Sequence, residues 1–161
     1  MGELEMLKRK TVKVGDIFQI LTAKGVCYGQ VTHTHPKWKF VVAIFRDFFT
    51  KEPVDFNEVV IQQPQLITTF LIQDGVKRGF FPLVANVPVP KHLSKFPTFR
   101  GTNYLNGEET MWFFWSGDKQ WKVHRPLTEE EKKYPEGPSF PSAPLLIDMI
   151  EKDYRVERNY I

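Results

Sequence analysis

Apolar residues along this chain occur in short runs separated by Gly, Pro, Asn and Asp, and few of the runs repeat at helical spacing. Runs of this length that are rich in Val, Ile, Phe and Trp are typical of β-strands. They predict strands at residues 17–21, 26–33, 37–46, 66–73, 77–85, 96–103, 110–115 and 119–124. The run 37–46 alternates at first and is then continuously apolar, which favours a central strand covered on both faces. Gly29, inside the second run, indicates a bulge or a close approach of two chain segments.

Turn dipeptides between these runs predict hairpins. Asp74-Gly75 stands between two apolar runs, and both central positions of a tight hairpin turn favour positive φ. It therefore predicts a hairpin that joins residues 66–73 to residues 77–85. Similar signals predict further hairpin turns at Asn106-Gly107 and Ser116-Gly117-Asp118.

Helix signals are confined to three segments. Residues 55–60 are predicted to form a single helical turn. Residues 127–133 are predicted to form a short helix with Thr128 as its N-cap and Glu131 completing a capping box. The clearest helix is 144–154, in which a proline suits the first turn and apolar and polar residues interchange.

The C-terminal helix is predicted to pack on the rest of the molecule. Its apolar positions are broader than one narrow stripe, so it should be largely buried. Its natural cover is the second face of the aromatic strand at 112–115, reached through an extended proline-rich linker at 135–144. The pattern as a whole predicts an α+β, mostly-β fold: a twisted antiparallel sheet, or a half-open SH3-like barrel, with a C-terminal helix. The predicted organisation is one domain over 1–161, with a β-rich body at 14–125 and a proline-rich linker and helix at 126–161.

Composition and charge narrow the class of protein. The single cysteine, Cys27, excludes an internal disulfide and favours the reducing cytoplasm. The chain begins without a signal-peptide pattern, and no apolar run reaches the roughly 18 residues of a membrane span, so we expect a cytoplasmic protein with no membrane partner. A net charge of +3 is too small to indicate nucleic-acid binding. The middle of the chain is basic and the end acidic, which favours packing of the end on the body.

Candidate catalytic residues are few. The sequence has no Gly-rich phosphate-binding loop, nucleophile elbow or zinc-protease motif. His33 and His35 would share one strand face and are the best metal pair, but a third ligand is not evident. Cys27 has no neighbouring base and is expected in the core, and the acids Glu108-Glu109 and Glu129-Glu130-Glu131 point apart or lie at a solvated helix start. We therefore predict a protein that is not an enzyme and has no catalytic residue, metal or cofactor.

Aromatic side chains suggest where a partner binds. Alternation along 111–115 places Trp112 and Phe114 on one face and the remaining residues on the other, so both faces are apolar. One face is then either core or docking surface. Because Trp and Arg are frequent interface anchors, the partner-binding candidates are Trp38, Arg100 and Trp112. Aromatic rings beside basic residues can also stack bases, which keeps a nucleic-acid partner open. The basic residues in question are Lys119, Lys122 and Arg125.

Short motifs in the first hundred residues add a family resemblance. They are Val14-Gly15-Asp16-Ile17-Phe18-Gln19-Ile20, Gly25, Tyr28-Gly29-Gln30-Val31, Phe40-Val41-Val42-Ala43-Ile44-Phe45 and Gly79-Phe80-Phe81. This set resembles immunity protein family 26 of bacterial polymorphic toxin systems. The resemblance implies a cytoplasmic α+β protein that binds and neutralises a cognate toxin, and it implies no catalytic residue. The Gly-Asp-apolar opening also begins unrelated small barrels, the plasmid-maintenance messenger-RNA interferases.

Three functions follow, in order of preference. The first is a protein-binding module that acts as an immunity protein, and it would be favoured by an uncharged or acidic apolar patch. The second is a nucleic-acid-associated small-barrel protein, favoured by a basic groove lined with exposed aromatics. The third is a metal-dependent hydrolase, which would need an open cleft holding His33, His35 and a carboxylate.

Overall fold

Two antiparallel sheets form the framework of the protein. The computed structural model describes residue 7 and residues 9–105, 108–137 and 139–154, with backbone alone for 103–105 and 108–110. The larger sheet, in the order β4-β3-β2-β1-β5, consists of β1 (Asp16–Thr22), β2 (Gly25–His35), β3 (Lys39–Phe45), β4 (Pro64–Thr69) and β5 (Leu83–Asn86). The smaller sheet, in the order β6-β7-β8, consists of β6 (Phe99–Leu105), β7 (Glu108–Trp115) and β8 (Gln120–Val123). The helices are α1 (Phe56–Val60), α2 (Ile72–Lys77), α3 (Lys91–Ser94) and α4 (Ala143–Glu151). Neither sheet closes on itself, and the predicted α+β, mostly-β class is confirmed.

Several local predictions are confirmed. Strand β3 is an interior strand between β2 and β4, and Val41–Phe45 are all buried, as the continuous apolar run indicates. Strands β7 and β8 form the predicted hairpin around residues 116–118. Asn106-Gly107 lies outside the described residues, although the strands on either side of it pair.

Helix caps also follow the sequence. The carboxylate of Asp55 accepts a hydrogen bond from the Asn57 N–H at the start of α1. Thr128 and Glu131 form the predicted capping box, with reciprocal hydrogen bonds of 2.8 and 3.1 Å. The segment that they cap is a single 3-10 turn, Glu131–Lys133, rather than a helix over 127–133.

The predicted hairpin at Asp74-Gly75 is wrong. These residues lie inside helix α2, and the strands on either side, β4 and β5, occupy opposite edges of the larger sheet. Helix α2 buries Ile72 and Val76 in the core, one turn apart on the same helix face. A Cβ at Gly75 would lie 2.5 Å from Cδ2 of Phe81, so glycine is required by close packing and not by a turn.

The predicted position of the C-terminal helix is also wrong. Helix α4 packs on the larger sheet, where Leu146 and Ile150 join the cluster that contains Phe18. Only these two residues of α4 are buried, so the buried stripe is narrow. The buried face of β7 is covered instead by Leu127 and Tyr134.

The larger sheet is covered on both faces. Helices α2 and α4 cover one face, and α1 and α3 cover the other, where they join the cluster that contains Tyr28 and Phe45 of the sheet. Among the described residues, no helix is long and apolar enough to cross a membrane. Strand β4 is an edge strand of the larger sheet, and no described strand pairs with its outer edge.

Candidate functional site

A cleft of about 550 Å³ runs along the outer edge of β4. We name it the edge cleft. One wall is β4 with the end of β3, and the other is the C-terminal segment from residue 133 to residue 154. Its principal side chains are Arg46, Ile67, Lys133, Phe140, Leu145 and Met149.

The backbone of β4 offers free hydrogen-bonding groups to this cleft. The Phe70 N–H donates to the Phe40 carbonyl at 3.1 Å, and Thr68 and Leu66 continue that register towards β3. In an antiparallel pair only alternate residues exchange hydrogen bonds with the neighbour. The N–H and C=O of Ile67 therefore point away from β3, towards the cleft.

The far wall is held in place by two polar contacts to β4. The hydroxyl of Thr69 donates to the Ser139 carbonyl and accepts from the Ser139 N–H at 3.1 Å. The Gln65 amide donates to carbonyls at the end of α4, those of Met149 and Ile150, at 3.4 and 3.5 Å. These contacts lie at opposite ends of β4, and the edge between them is open.

The charges in the edge cleft are mainly positive. Arg46 and Lys133 are its cations. The Arg46 Nε is buried and has no hydrogen-bond partner among the described residues. Burying a donor without a partner costs roughly 1–3 kcal/mol, more for a charged group. The one acid in the lining, Glu136, has an interaction of its own.

The walls of the cleft also carry exposed apolar side chains. Phe140 is 38% exposed and Leu145 is 50% exposed, and both lie on the C-terminal segment. Pro141 and Met149 lie beside them. The cleft thus combines apolar walls, free strand backbone and a guanidinium group.

Two of the predicted partner-binding residues lie in the interior. Arg100 is 1% exposed, and its guanidinium donates to the carbonyls of Tyr134 and Lys132 at 3.0 and 3.2 Å. Its Cζ lies 5.7 Å from the centre of the buried Trp112 ring. Both side chains are buried, so neither is exposed to a partner as predicted, and Arg100 instead holds residues 132–137 against the smaller sheet.

Trp38, the third candidate, is partly exposed. Its ring lies 5.8 Å from those of Trp115 and Phe140. It lines a second groove of about 510 Å³, which we name the aromatic groove. Phe113, Lys37 and Lys119 line the same groove.

The two histidines have structural roles. His33 Nε2 lies 2.9 Å from the Ser94 carbonyl, and its Nδ1 contacts a threonine hydroxyl at 2.9 Å. His35 Nδ1 accepts from two backbone N–H groups at 3.1 Å, so its Nε2 must be the protonated nitrogen that donates to Gly117 at 3.1 Å. No group of three or more His, Cys, Asp or Glu residues in the described part of the chain is placed to hold a metal ion.

The other candidate reactive groups are also engaged or buried. Burial raises the pKa of the Cys27 thiol to about 12, so the thiol stays protonated at neutral pH. The salt bridge from Arg125 lowers the pKa of Glu131 to about 2. The side chains of Glu108 and Glu109 lie outside the described residues.

The motifs that carry the family resemblance have structural roles. Asp16 is fully buried and accepts from the Arg9 guanidinium at 2.7 Å, the Asn86 amide at 2.9 Å and the Lys13 N–H at 2.8 Å. Burial opposes its ionisation, but these hydrogen bonds hold the pKa of Asp16 below its usual value. The Gln30 amide donates to the Val87 carbonyl at 2.9 Å. These residues join the ends of strands and do not line the edge cleft.

Comparisons with family models, curated proteins and solved structures found no match to this chain.

The residues of the edge cleft were not predicted from the sequence. Arg46 ends an apolar strand, which is an ordinary place for a charged residue, and its burial depends on a segment almost a hundred residues later. The one signal was the row of prolines at 135–144, which indicates an extended segment that can border a cleft.

Proposed function

We propose that this protein is a protein-binding module that acts as an immunity protein in the bacterial cytoplasm and neutralises a cognate toxin by binding it. The observation that carries the proposal is the edge cleft, with exposed Phe140 and Leu145 beside two cations and a free strand edge. Apolar patches bordered by polar residues are typical of protein interfaces. The family resemblance of the first hundred residues supports the same function.

The chemistry of the described residues favours binding over catalysis. The ring nitrogens of His33 and His35 are occupied by backbone and hydroxyl groups. The Cys27 thiol is buried and protonated. An active site needs a nucleophile or base with access to substrate, and these groups lack it.

A growth assay tests the proposal. The products of the genes beside this chain's gene are each expressed in a bacterial host, with the chain or with an unrelated immunity protein at matched levels. We expect the chain alone to restore growth. Equal killing in both cultures, or neighbouring genes whose products are all harmless, would contradict the proposal.

The aromatic groove supports a second candidate function, single-stranded nucleic-acid binding. Lys37 Nζ lies 5.0 Å from the Trp38 ring and Lys122 Nζ lies 5.3 Å from the Phe113 ring, so cations and ring faces occur together. Such pairs bind backbone phosphates and stack bases.

Fluorescence anisotropy with a labelled oligothymidylate of about 12 nucleotides distinguishes this candidate. If the chain binds single-stranded nucleic acid, binding should weaken as the salt concentration is raised, and it should also weaken in the variant Phe113→Ala. No change in anisotropy at low salt would exclude it and leave the first proposal unaffected.

A further inference from the structure

We infer that the edge cleft binds an extended segment of the partner protein that carries an acidic residue between apolar ones, and that this segment adds a strand to β4 with its carboxylate on Arg46. The inference rests on the proposed function in one respect, that the occupant belongs to a protein partner.

The strand edge determines the conformation of the occupant. Ile67 directs its backbone N–H and C=O away from β3, and no described residue forms a hydrogen bond with them. The Thr69 carbonyl, two residues further on, accepts from the Thr68 hydroxyl at 2.9 Å, and the pairing with β3 shifts register next to Gln65. The added strand would therefore form its backbone hydrogen bonds with Ile67. An extended peptide can offer one N–H and one C=O to Ile67 from a single residue, whereas a helix satisfies its own backbone groups.

Arg46 determines the charge of the occupant. Its buried Nε has no hydrogen-bond partner among the described residues, and Lys133 adds a second cation to the same cleft. A guanidinium group binds a carboxylate through two parallel N–H···O hydrogen bonds, which a neutral amide cannot match in strength. An Asp, a Glu or a terminal carboxylate of the partner satisfies Arg46.

The C-terminal wall of the edge cleft determines which other side chains the bound segment should carry. Phe140 and Leu145 are exposed to the cleft, and Met149 lies with them. Side chains on one face of an added strand would contact these residues and remove them from water. A sequence in which apolar residues flank the acid therefore fits best.

A second copy of the chain fits less well. Strand β4 reads Pro-Gln-Leu-Ile-Thr-Thr and contains no acid. If two copies paired through β4, neither strand would bring a carboxylate to Arg46. The charge of the cleft thus favours a different protein over a dimer.

Selection from a displayed library of random heptapeptides on the immobilised full-length chain is the first test. We expect the recovered peptides to be enriched in Asp or Glu flanked by apolar residues. Failure to recover any peptide above background, or recovery without acidic residues, would overturn the inference.

Synthetic versions of the best peptide then locate the site. Binding is measured by fluorescence anisotropy on the unmodified chain, with the acid in place or replaced by its amide. Hydrogen bonds to charged groups are worth about tenfold in affinity, so the amide should bind about tenfold less tightly. In an added strand, only every second backbone N–H of the peptide faces β4. N-methylation of those nitrogens should abolish binding, whereas N-methylation of the nitrogens between them should leave it unchanged.

Substitution of the chain completes the test. Arg46→Gln should lose about tenfold in affinity, while the matched control Arg78→Gln, on α2 and outside the cleft, should bind as the parent does. Arg46→Lys keeps the positive charge but cannot form two parallel hydrogen bonds to a carboxylate, so we expect an intermediate affinity. Equal affinity of Arg46→Gln and Arg78→Gln would contradict the inference.

The growth assay separates this inference from the proposed function. If Arg46→Gln loses both peptide binding and the ability to protect the host from the toxin, the proposed function and this inference are both supported. If the parent chain protects and Arg46→Gln protects equally well, the immunity function holds and the cleft is not where the toxin binds. Formation of a chain dimer that excludes the peptide would overturn the inference in favour of self-pairing.

Discussion

Gly29 lies directly opposite Phe18 across β1 and β2, and the Phe18 ring occupies the space that a side chain at position 29 would need. An ideal Cβ at Gly29 would come within 2.3 Å of the Phe18 Cζ. At the scale of single residues, positions such as Gly29 and Phe18, which belong to the motifs of the family resemblance, thus serve the packing of the core. The cationic residues Arg46 and Lys133 line the edge cleft instead, and we propose that they meet the partner there.

We predict that Gly29→Ala destabilises the protein. Forcing a methyl group into this contact should lower the free energy of unfolding by about 1–3 kcal/mol. Gly101 is a matched control in another strand, because its nearest neighbour to a Cβ is the Gly137 carbonyl oxygen at 3.8 Å. Gly101→Ala should change stability by about 0.5 kcal/mol or less. Equal urea midpoints for the two variants would show that the Phe18 ring moves aside.

The ion pair between the partly exposed Arg9 and the buried Asp16 predicts a dependence of stability on pH. The pKa of Asp16 is lowered in the folded protein, so its contribution is fully present above the unfolded value of about 3.9 and is lost as pH falls through the lower, folded value. Asp16→Asn should therefore cost roughly 1–3 kcal/mol at neutral pH, and the difference from the parent should shrink in acid. Urea unfolding at several pH values measures this difference.

The exposed Asp118, in the turn between β7 and β8, provides the control. Asp118→Asn should leave the stability of the parent nearly unchanged at each pH. A difference between Asp16→Asn and the parent that stays constant from neutral pH to acid would contradict the assigned role of Asp16.

At the scale of elements, burial outweighs local signals. The Asp-Gly dipeptide at 74–75 is a strong turn signal, yet it lies in α2 because Ile72 and Val76 are needed in the core. In helix α4, too, packing against the sheet decides which residues are buried. Its sequence is apolar over most of its surface, but only Leu146 and Ile150 are buried, because the larger sheet offers a narrow contact.

Adjacent leucines in α4 test this packing. Leu146 is fully buried and Leu145 is half exposed in the wall of the edge cleft. Leu146→Ala should lower the free energy of unfolding by about 2–5 kcal/mol, and Leu145→Ala by about 0.5 kcal/mol or less. Removal of residues 144–161 should likewise destabilise the protein and expose the core under α4. Thermal unfolding measures all three, and an unchanged midpoint in Leu146→Ala would mean that α4 does not stabilise the sheet.

At the scale of the whole molecule, the sequence predicts the elements better than their arrangement. The interior position of β3, the β7–β8 hairpin and the caps at Asp55 and Thr128 follow from local patterns of a few residues. Strands β1 to β4 pair in chain order, whereas the pairing of β5 with β1 joins distant segments, which periodicity does not encode. The edge cleft depends on the docking of residues 133–154 beside β4. Local patterns do not encode a contact between segments so far apart in the chain, so the edge cleft could not be found before the structure.

The toxin is proposed to bind this chain at the edge cleft. Amide hydrogen exchange tests this on the full-length chain, with and without the toxic gene product that the growth assay identifies, at concentrations where titration calorimetry shows saturation. We expect a saturable complex and slower exchange at the outward amides of β4, with Ile67 foremost, while the amides of β5, at the opposite edge of the larger sheet, are unchanged. A complex that protects another surface, or no heat of binding, would contradict it.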